Sequence, residues 1–191
     1  MMGRGLTPSQ TVGPFFHGGL LREGLNVLVS PETQGERIRI EGHVYDGDRA
    51  PVPDAVVEIW QANARGRYCH PADQRPIPLD PAFVGFGRSG TDEAGYFWFE
   101  TVKPGRVPFP GETLQAPHIC VAVFSRGLLD GLPTRLYFEG EDANHTDPVL
   151  RRLPEDRRAA LLARRLPVDG KIVYRFDVVL QGDGETVFFE R

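Results

Sequence analysis

Lysine is nearly missing from this sequence of 191 residues. Lys103 and Lys171 are the only two among 22 basic side chains, so almost every cation is an arginine. We read this as a compositional bias, within which one or two arginines are placed to meet a carboxylate with the planar guanidinium fork. A basic excess is missing as well: the formal charge is −4, which favours solubility and gives no reason to expect a nucleic-acid partner. Cysteine is limited to Cys69 and Cys120, too few for a disulfide scaffold, and both are expected as free thiols in a reducing compartment. Long apolar runs are absent too. No stretch reaches the roughly 20 apolar residues that span a bilayer, and MMGRGLTPSQTVGPFF lacks the apolar core of a signal peptide. A cytoplasmic protein is the expectation.

Glycine and proline, in contrast, are abundant, 22 and 17 respectively, and they punctuate short apolar runs. That pattern predicts an all-β sandwich or barrel. Strands are expected at 37–44, with Ile38, Ile40 and Val44 on one face, at 56–60, at 96–99 after the turn Asp92-Glu93-Ala94-Gly95, at 118–124 and at 134–138. Residues 172–180 place Ile172, Tyr174, Phe176, Val178 and Leu180 on one face. They then turn through Gly182-Asp183-Gly184 into 186–189. One segment reads as helical, 154–165, stopped by Pro167, and a shorter turn is expected to begin at Asp147 with Pro148 in its first position. No internal repeat is present. Residues 1–36 lack strand alternation and read as an extended N-terminal arm, ordered only where it packs on something. Residues 37–191 form the sandwich domain.

Three segments taken together carry a specific likeness. They are Glu41-Gly42-His43-Val44-Tyr45-Asp46-Gly47 with 57–68 (VEIWQANARGRY), then Thr101-Val102-Lys103-Pro104-Gly105, then Ala116-Pro117-His118-Ile119-Cys120. In this order they resemble the intradiol ring-cleaving dioxygenases over nearly the whole chain. The resemblance implies a β-sandwich of that type and chemistry on a ferric ion held by two tyrosines and two histidines. Anionic phenolates suit this hard ion, and a histidine pair two apart on a strand aims at one face. The first tyrosine position is matched by Tyr68 and the first histidine by His118. The second tyrosine position is Val107, the second histidine is Cys120, and an arginine that the family uses near the ring is replaced by Gln115. Thiolate is a soft donor, so the set reads as a vestigial metal site, with Tyr68 and His118 kept as hydrogen-bonded pocket or core residues.

The likeness is strongest to one kind of chain within the family. Some members resemble pairs of related sandwiches, α and β, of which only β holds iron. Features of the α kind are matched by Thr7 to Pro14, by Ala116 to Ile119, imperfectly by Ser125-Arg126-Gly127, by Thr134 to Phe138, by Tyr174 to Asp177 and by Gln181 to Phe189. This implies that the arm reaches a homologous β subunit and lines its substrate pocket with Thr11, Gly13 and Pro14. Arg126 is expected at the carboxylate end of that pocket, where a guanidinium matches a benzoate. The implied reaction inserts both atoms of O₂ into 3,4-dihydroxybenzoate to give 3-carboxy-cis,cis-muconate. The Fe(III) would be on the partner, and this chain would hold no metal and no catalytic residue.

Two other readings stand beside this one: a stand-alone, non-catalytic β-sandwich binding module, and a different metalloenzyme using Tyr68, His118 and Cys120. His17 could face a partner or lie on the surface. His43, His70 and His145 are taken as structural or exposed, Asp46-Gly47-Asp48 as no calcium loop, and Glu139, Glu141 and Asp142 as a solvated turn.

Overall fold

Period-two alternation sets the architecture. In β1 (Arg37–Tyr45) Ile38, Ile40, Gly42 and Val44 point inward, and in β4 (Tyr96–Val102) Phe97, Phe99 and Thr101 do the same. The two pair antiparallel with Ile40 opposite Phe99 and Gly42 opposite Phe97. The computed structural model describes residues 16–190 apart from 112 and 169. Within them the chain runs through α1 (Phe16–Leu20), β1, β2 (Val56–Trp60), β3 (Phe86–Gly90), β4, the short β5 (Pro108–Phe109) and β6 (Thr113–Leu114), β7 (His118–Phe124) and β8 (Leu132–Phe138). It ends with α2 (Glu155–Arg158), β9 (Leu162–Leu166), β10 (Val173–Arg175) and β11 (Val178–Val179).

The pairing path is β3-β2-β7-β8-β9-β10-β1-β4, with β11 alongside β1. β9 is the seam between the two leaves of this sandwich, parallel to β8 and antiparallel to β10. The core lies between the leaves and includes Ile38, Ile40, Phe97, Phe99, Ile119, Val121, Leu136 and Phe138, the last edge-on to Tyr174 at 4.9 Å. Gln61 is also fully buried. It donates to the Val102 carbonyl at 2.8 Å and accepts from Thr101 Oγ1 at 2.8 Å, tying the end of β2 to the end of β4.

The strands expected from alternation are present. Three local expectations are corrected. The helix foreseen over 154–165 is a single turn at 155–158 and a 3₁₀ turn, after which the chain becomes β9. The tertiary reason is that the open edges of β8 and β10 both need a partner. The single strand foreseen over 172–180 is broken between β10 and β11. Both halves still lie on β1, but Asp177 Oδ1 accepts the His43 N–H at 3.0 Å, where a carbonyl of a continuous ladder would have been. Residues 186–189 cross between elements instead of forming a strand, bonded through Thr186 to Val179 and through the Phe189 N–H to the Pro133 carbonyl.

The segment before β1, foreseen as extended, carries α1 and then packs on the sandwich. Leu28 N–H donates to the Glu100 carbonyl and Arg88 N–H to that of Leu25. The turn at Asp147 is there, with Asp147 Oδ1 accepting from the N–H groups of Val149 and Leu150.

Phe99 is wholly buried. Phe99→Ala is expected to lower unfolding stability by about 3–5 kcal/mol with an unchanged denaturant slope, as measured by urea titration.

Candidate active-site cavity

Two turns are pressed backbone to backbone, and this contact builds the cavity. After β2, the Asn63 side-chain oxygen accepts the N–H groups of Arg65 and Arg67, both at 3.0 Å, closing a tight turn that leads to Tyr68. Gly66 in that turn has φ +79, and a Cβ on it would lie 2.1 Å from the Arg106 carbonyl oxygen. Gly105, in the loop after β4, donates its N–H to the Asn63 carbonyl at 3.0 Å, and a Cβ on it would lie 2.5 Å from the Gly66 nitrogen. Only glycine at both positions lets the loop carrying Val107 approach the turn carrying Tyr68. The third wall is the start of β7, where His118 and Cys120 share one face by alternation.

Tyr68, Val107, His118 and Cys120 therefore converge on one cavity of about 470 Å³, together with Trp60 and Arg135. Trp60 and Tyr68 stack at 5.8 Å. His118 is 4% exposed, and its Nδ1 lies 2.8 Å from the Ala116 carbonyl. Burial, assisted by the nearby Arg135 charge, pushes its pKa down to about 4. The ring is neutral at pH 7, with Nδ1 donating to Ala116. Burial pushes both Tyr68 and Cys120 upward, against the opposing pull of the Arg135 charge, so both keep their protons near neutrality.

Arg135 is the feature that sequence reasoning passed over. It lies directly opposite Cys120 in the β7–β8 ladder, between the inward-facing Thr134 and Leu136. Its Nη1 donates to Gln115 Oε1 at 2.7 Å and to Tyr137 Oη at 3.3 Å. Tyr137 Oη in turn donates to Asp147 Oδ1 at 3.2 Å. Asp147 is fully buried and also accepts the N–H groups of Ala116, Val149 and Leu150. The sequence signal was available: in Thr134-Arg135-Leu136-Tyr137-Phe138 the alternation that sends Leu136 inward sends Arg135 to the face of His118 and Cys120.

This lining does not fit a ferric ion. The donors are one neutral phenol, one imidazole and one thiol, with an apolar side chain at the fourth position and a guanidinium in the same cavity. Among the described residues no group of three or more His, Cys, Asp and Glu side chains is arranged to hold a metal ion.

Arg126 is elsewhere. Its side chain is 67% exposed at the end of β7, ion-paired with Asp54 and outside this cavity. Thr11, Gly13, Pro14 and the side chain of His17 lie outside the described residues. His43 stacks on Tyr45 and sits 3.5 Å from Asp177, His70 lies at the cavity mouth, and His145 is exposed. The turn foreseen as solvated is partly tied down: Glu141 pairs with Lys103 at 2.9 Å, and Glu139 accepts the Arg165 N–H. Both cysteines are free thiols.

A sandwich in which the turn carrying Tyr68, the loop carrying Val107 and the start of β7 with His118 converge on one cavity defines a class, and comparison with known proteins agrees. The dioxygenase family matches residues 12–182, and the chain belongs to that family, the intradiol ring-cleavage dioxygenases, which use non-heme iron. Among individual relatives, it is 44% identical to the protocatechuate 3,4-dioxygenase alpha chain of Pseudomonas putida, across 96% of each chain. It is 38% identical to the protocatechuate 3,4-dioxygenase beta chain of Burkholderia cepacia, across 84% of this chain and 71% of that one. Among solved structures, it is similar to the dioxygenase domain of a dioxygenase carbohydrate-binding protein fusion from Streptomyces sp. SirexAA-E. That match has a TM-score of 0.63 and 27% identity, and it covers 92% of this chain and 98% of that one. No helix among the described residues is long and apolar enough to cross a membrane.

Two outcomes follow from this geometry. Gly66→Ala is expected to destabilise the fold by more than about 1 kcal/mol, since it combines a disfavoured φ with a backbone clash; thermal unfolding reads this directly. The second concerns His118, whose folded pKa lies below its unfolded value. Its contribution to stability is thus complete above about pH 6.5 and declines as the pH falls toward 4, because the unfolded chain takes up the proton first. Urea midpoints measured at pH 7 and pH 5 should fall for the wild type, and less steeply for His118→Gln.

Proposed function

We propose that this chain is the iron-free member of a two-chain, O₂-dependent dioxygenase that cleaves 3,4-dihydroxybenzoate between its hydroxylated carbons to 3-carboxy-cis,cis-muconate. One observation carries this reading. The positions that would hold iron are Tyr68, Val107, His118 and Cys120 around the Arg135 guanidinium, in a chain that is 44% identical to an alpha chain across 96% of its length. Similarity to both alpha and beta chains supports a homologous beta-type partner, and the non-heme Fe(III) is assigned to that partner, where it would make the bound catecholate ring reactive toward O₂.

This chain's own contribution is positional. Residues 1–36 act as the arm and 37–191 as the sandwich domain, in a cytoplasmic assembly. Gly13, without a side chain, allows close approach to the ring, Pro14 forms a stiff apolar wall, and Thr11 adds a hydroxyl. Arg126, exposed on this chain, meets the substrate carboxylate in the partner's pocket. A stand-alone binding module would not require a match across 96% of an alpha chain. A metalloenzyme built on Tyr68, His118 and Cys120 would need a cation beside Arg135.

Steady-state kinetics of the assembled enzyme test this. Arg126→Ala removes a contact worth about 1–3 kcal/mol, so KM for 3,4-dihydroxybenzoate should rise roughly 5- to 100-fold while catechol, lacking a carboxylate, is nearly unaffected. Gly13→Val should impair both substrates. Equal loss on both substrates for Arg126→Ala would make that arginine structural. Tyr68→Phe should keep most of its turnover, and metal analysis of the purified chain alone should find well under one iron per chain.

A further inference from the structure

The cavity of this chain holds a cation that, among the described residues, no charged group meets directly. Arg135 is partly buried and its two hydrogen bonds go to neutral groups, the Gln115 amide and the Tyr137 hydroxyl. The nearest acid behind it is Asp147, which reaches Arg135 only through the Tyr137 hydroxyl and whose oxygens already serve three backbone N–H groups. Of the other groups on the lining, Arg75 is paired with Asp73 at 2.5 Å, and His70 is exposed at the mouth. His118, Tyr68 and Cys120 are uncharged near neutrality. The cavity is therefore net positive by one guanidinium. A desolvated charge without an ionic partner is costly, and a carboxylate is the group whose shape fits the free edge of the fork.

The remaining walls describe the rest of the ligand. Trp60 and Tyr68 present stacked aromatic faces, and Val107 and Pro108 are apolar. Trp60, Cys120 and Arg135 also border an adjoining apolar groove of about 640 Å³, lined in addition by Phe86, Phe109 and Phe189. That groove gives a route to solvent. Of the two acids on its lining, Glu58 is paired with Arg88 and Glu190 is near the chain end.

We propose that the cavity formed by Tyr68, Val107, His118 and Cys120 is a non-catalytic binding site for a small aromatic monocarboxylate, with the carboxylate on Arg135 and the ring between the Trp60–Tyr68 pair and Val107. The guanidinium supplies, for an anion, the positive charge that a metal supplies elsewhere in the family. No covalent step takes place there. The site belongs to this chain alone and does not rest on the assignment of Arg126 or on the partner's chemistry.

The test uses crystals of the full chain with its partner, soaked in 4-bromobenzoate or in its neutral isostere 4-bromobenzamide, with bromine located by anomalous scattering. A bromine peak in this chain's cavity with the carboxylate on Arg135, and none for the amide, is the expected result. Equilibrium dialysis with radiolabelled benzoate should find one site on this chain in addition to any on the partner. Arg135→Gln should weaken that site at least tenfold and leave the partner's unchanged. An empty cavity in the bromobenzoate soak, equal occupancy by the amide, or undiminished binding in Arg135→Gln would each overturn the proposal. If Arg135→Gln does not fold, the acid–amide comparison on the wild type decides alone. Kinetic failure of the Arg126→Ala prediction would leave these outcomes untouched, so the two readings are separable.

Discussion

The contact between the turn at Gly66 and the loop at Gly105 organises the working end of this molecule. Both backbones approach more closely than any side chain permits, and the Gly105 N–H to Asn63 carbonyl bond fixes their register. Tyr68 and Val107 follow two residues after these glycines, so their positions are consequences of that contact. The sandwich beneath serves the same end. The tie from Gln61 to Val102 and Thr101 joins the ends of β2 and β4, from which the two loops depart. Loops placed by a rigid scaffold are where function collects, and here the scaffold holds them through buried hydrogen bonds rather than through bulk packing alone.

The same scaffold accommodates a change of charge. In this member of a family that uses non-heme iron, the cavity is lined by a phenol, an imidazole, a thiol and an isopropyl group, with the positive charge carried by Arg135. The residues of this lining are coupled physically. A guanidinium in the cavity repels a metal cation, and it lowers the affinity of His118 for protons, which burial alone already disfavours. With Val107 and a protonated Cys120 in the same cavity, burial outweighs the pull of the Arg135 charge and holds Tyr68 neutral.

Much of the fold was legible in the residues. Alternation in 37–44 gave a strand with the correct inward face, and 96–99 and 118–124 were also read as strands; each is half-buried, and a half-buried strand writes its orientation in period two. β9 was not legible. Leu161, Leu162 and Ala163 sit among arginines with a spacing that a helix satisfies as well, and only the unpaired edges of β8 and β10 decide for a strand. The break at Asp177 was equally hidden, since the apolar pattern continues through it and a side chain replaces a carbonyl.

The site divides in the same way. By itself the sequence determined the family likeness, and it singled out Tyr68, Val107, His118 and Cys120, because both depend on residue type and local spacing. Where those positions meet was decided by the tertiary structure, through two glycines separated by 39 positions whose backbones touch. The charge of the cavity was decided there as well. Arg135 is one arginine among many in an arginine-rich chain; local alternation sets which face of β8 it takes, but nothing local to it distinguishes a strand-surface cation from a partly buried one. Its character comes from Cys120 across the ladder, from Gln115 and Tyr137 beside it, and from the loops that close over it, all of which are neighbours only in the folded state.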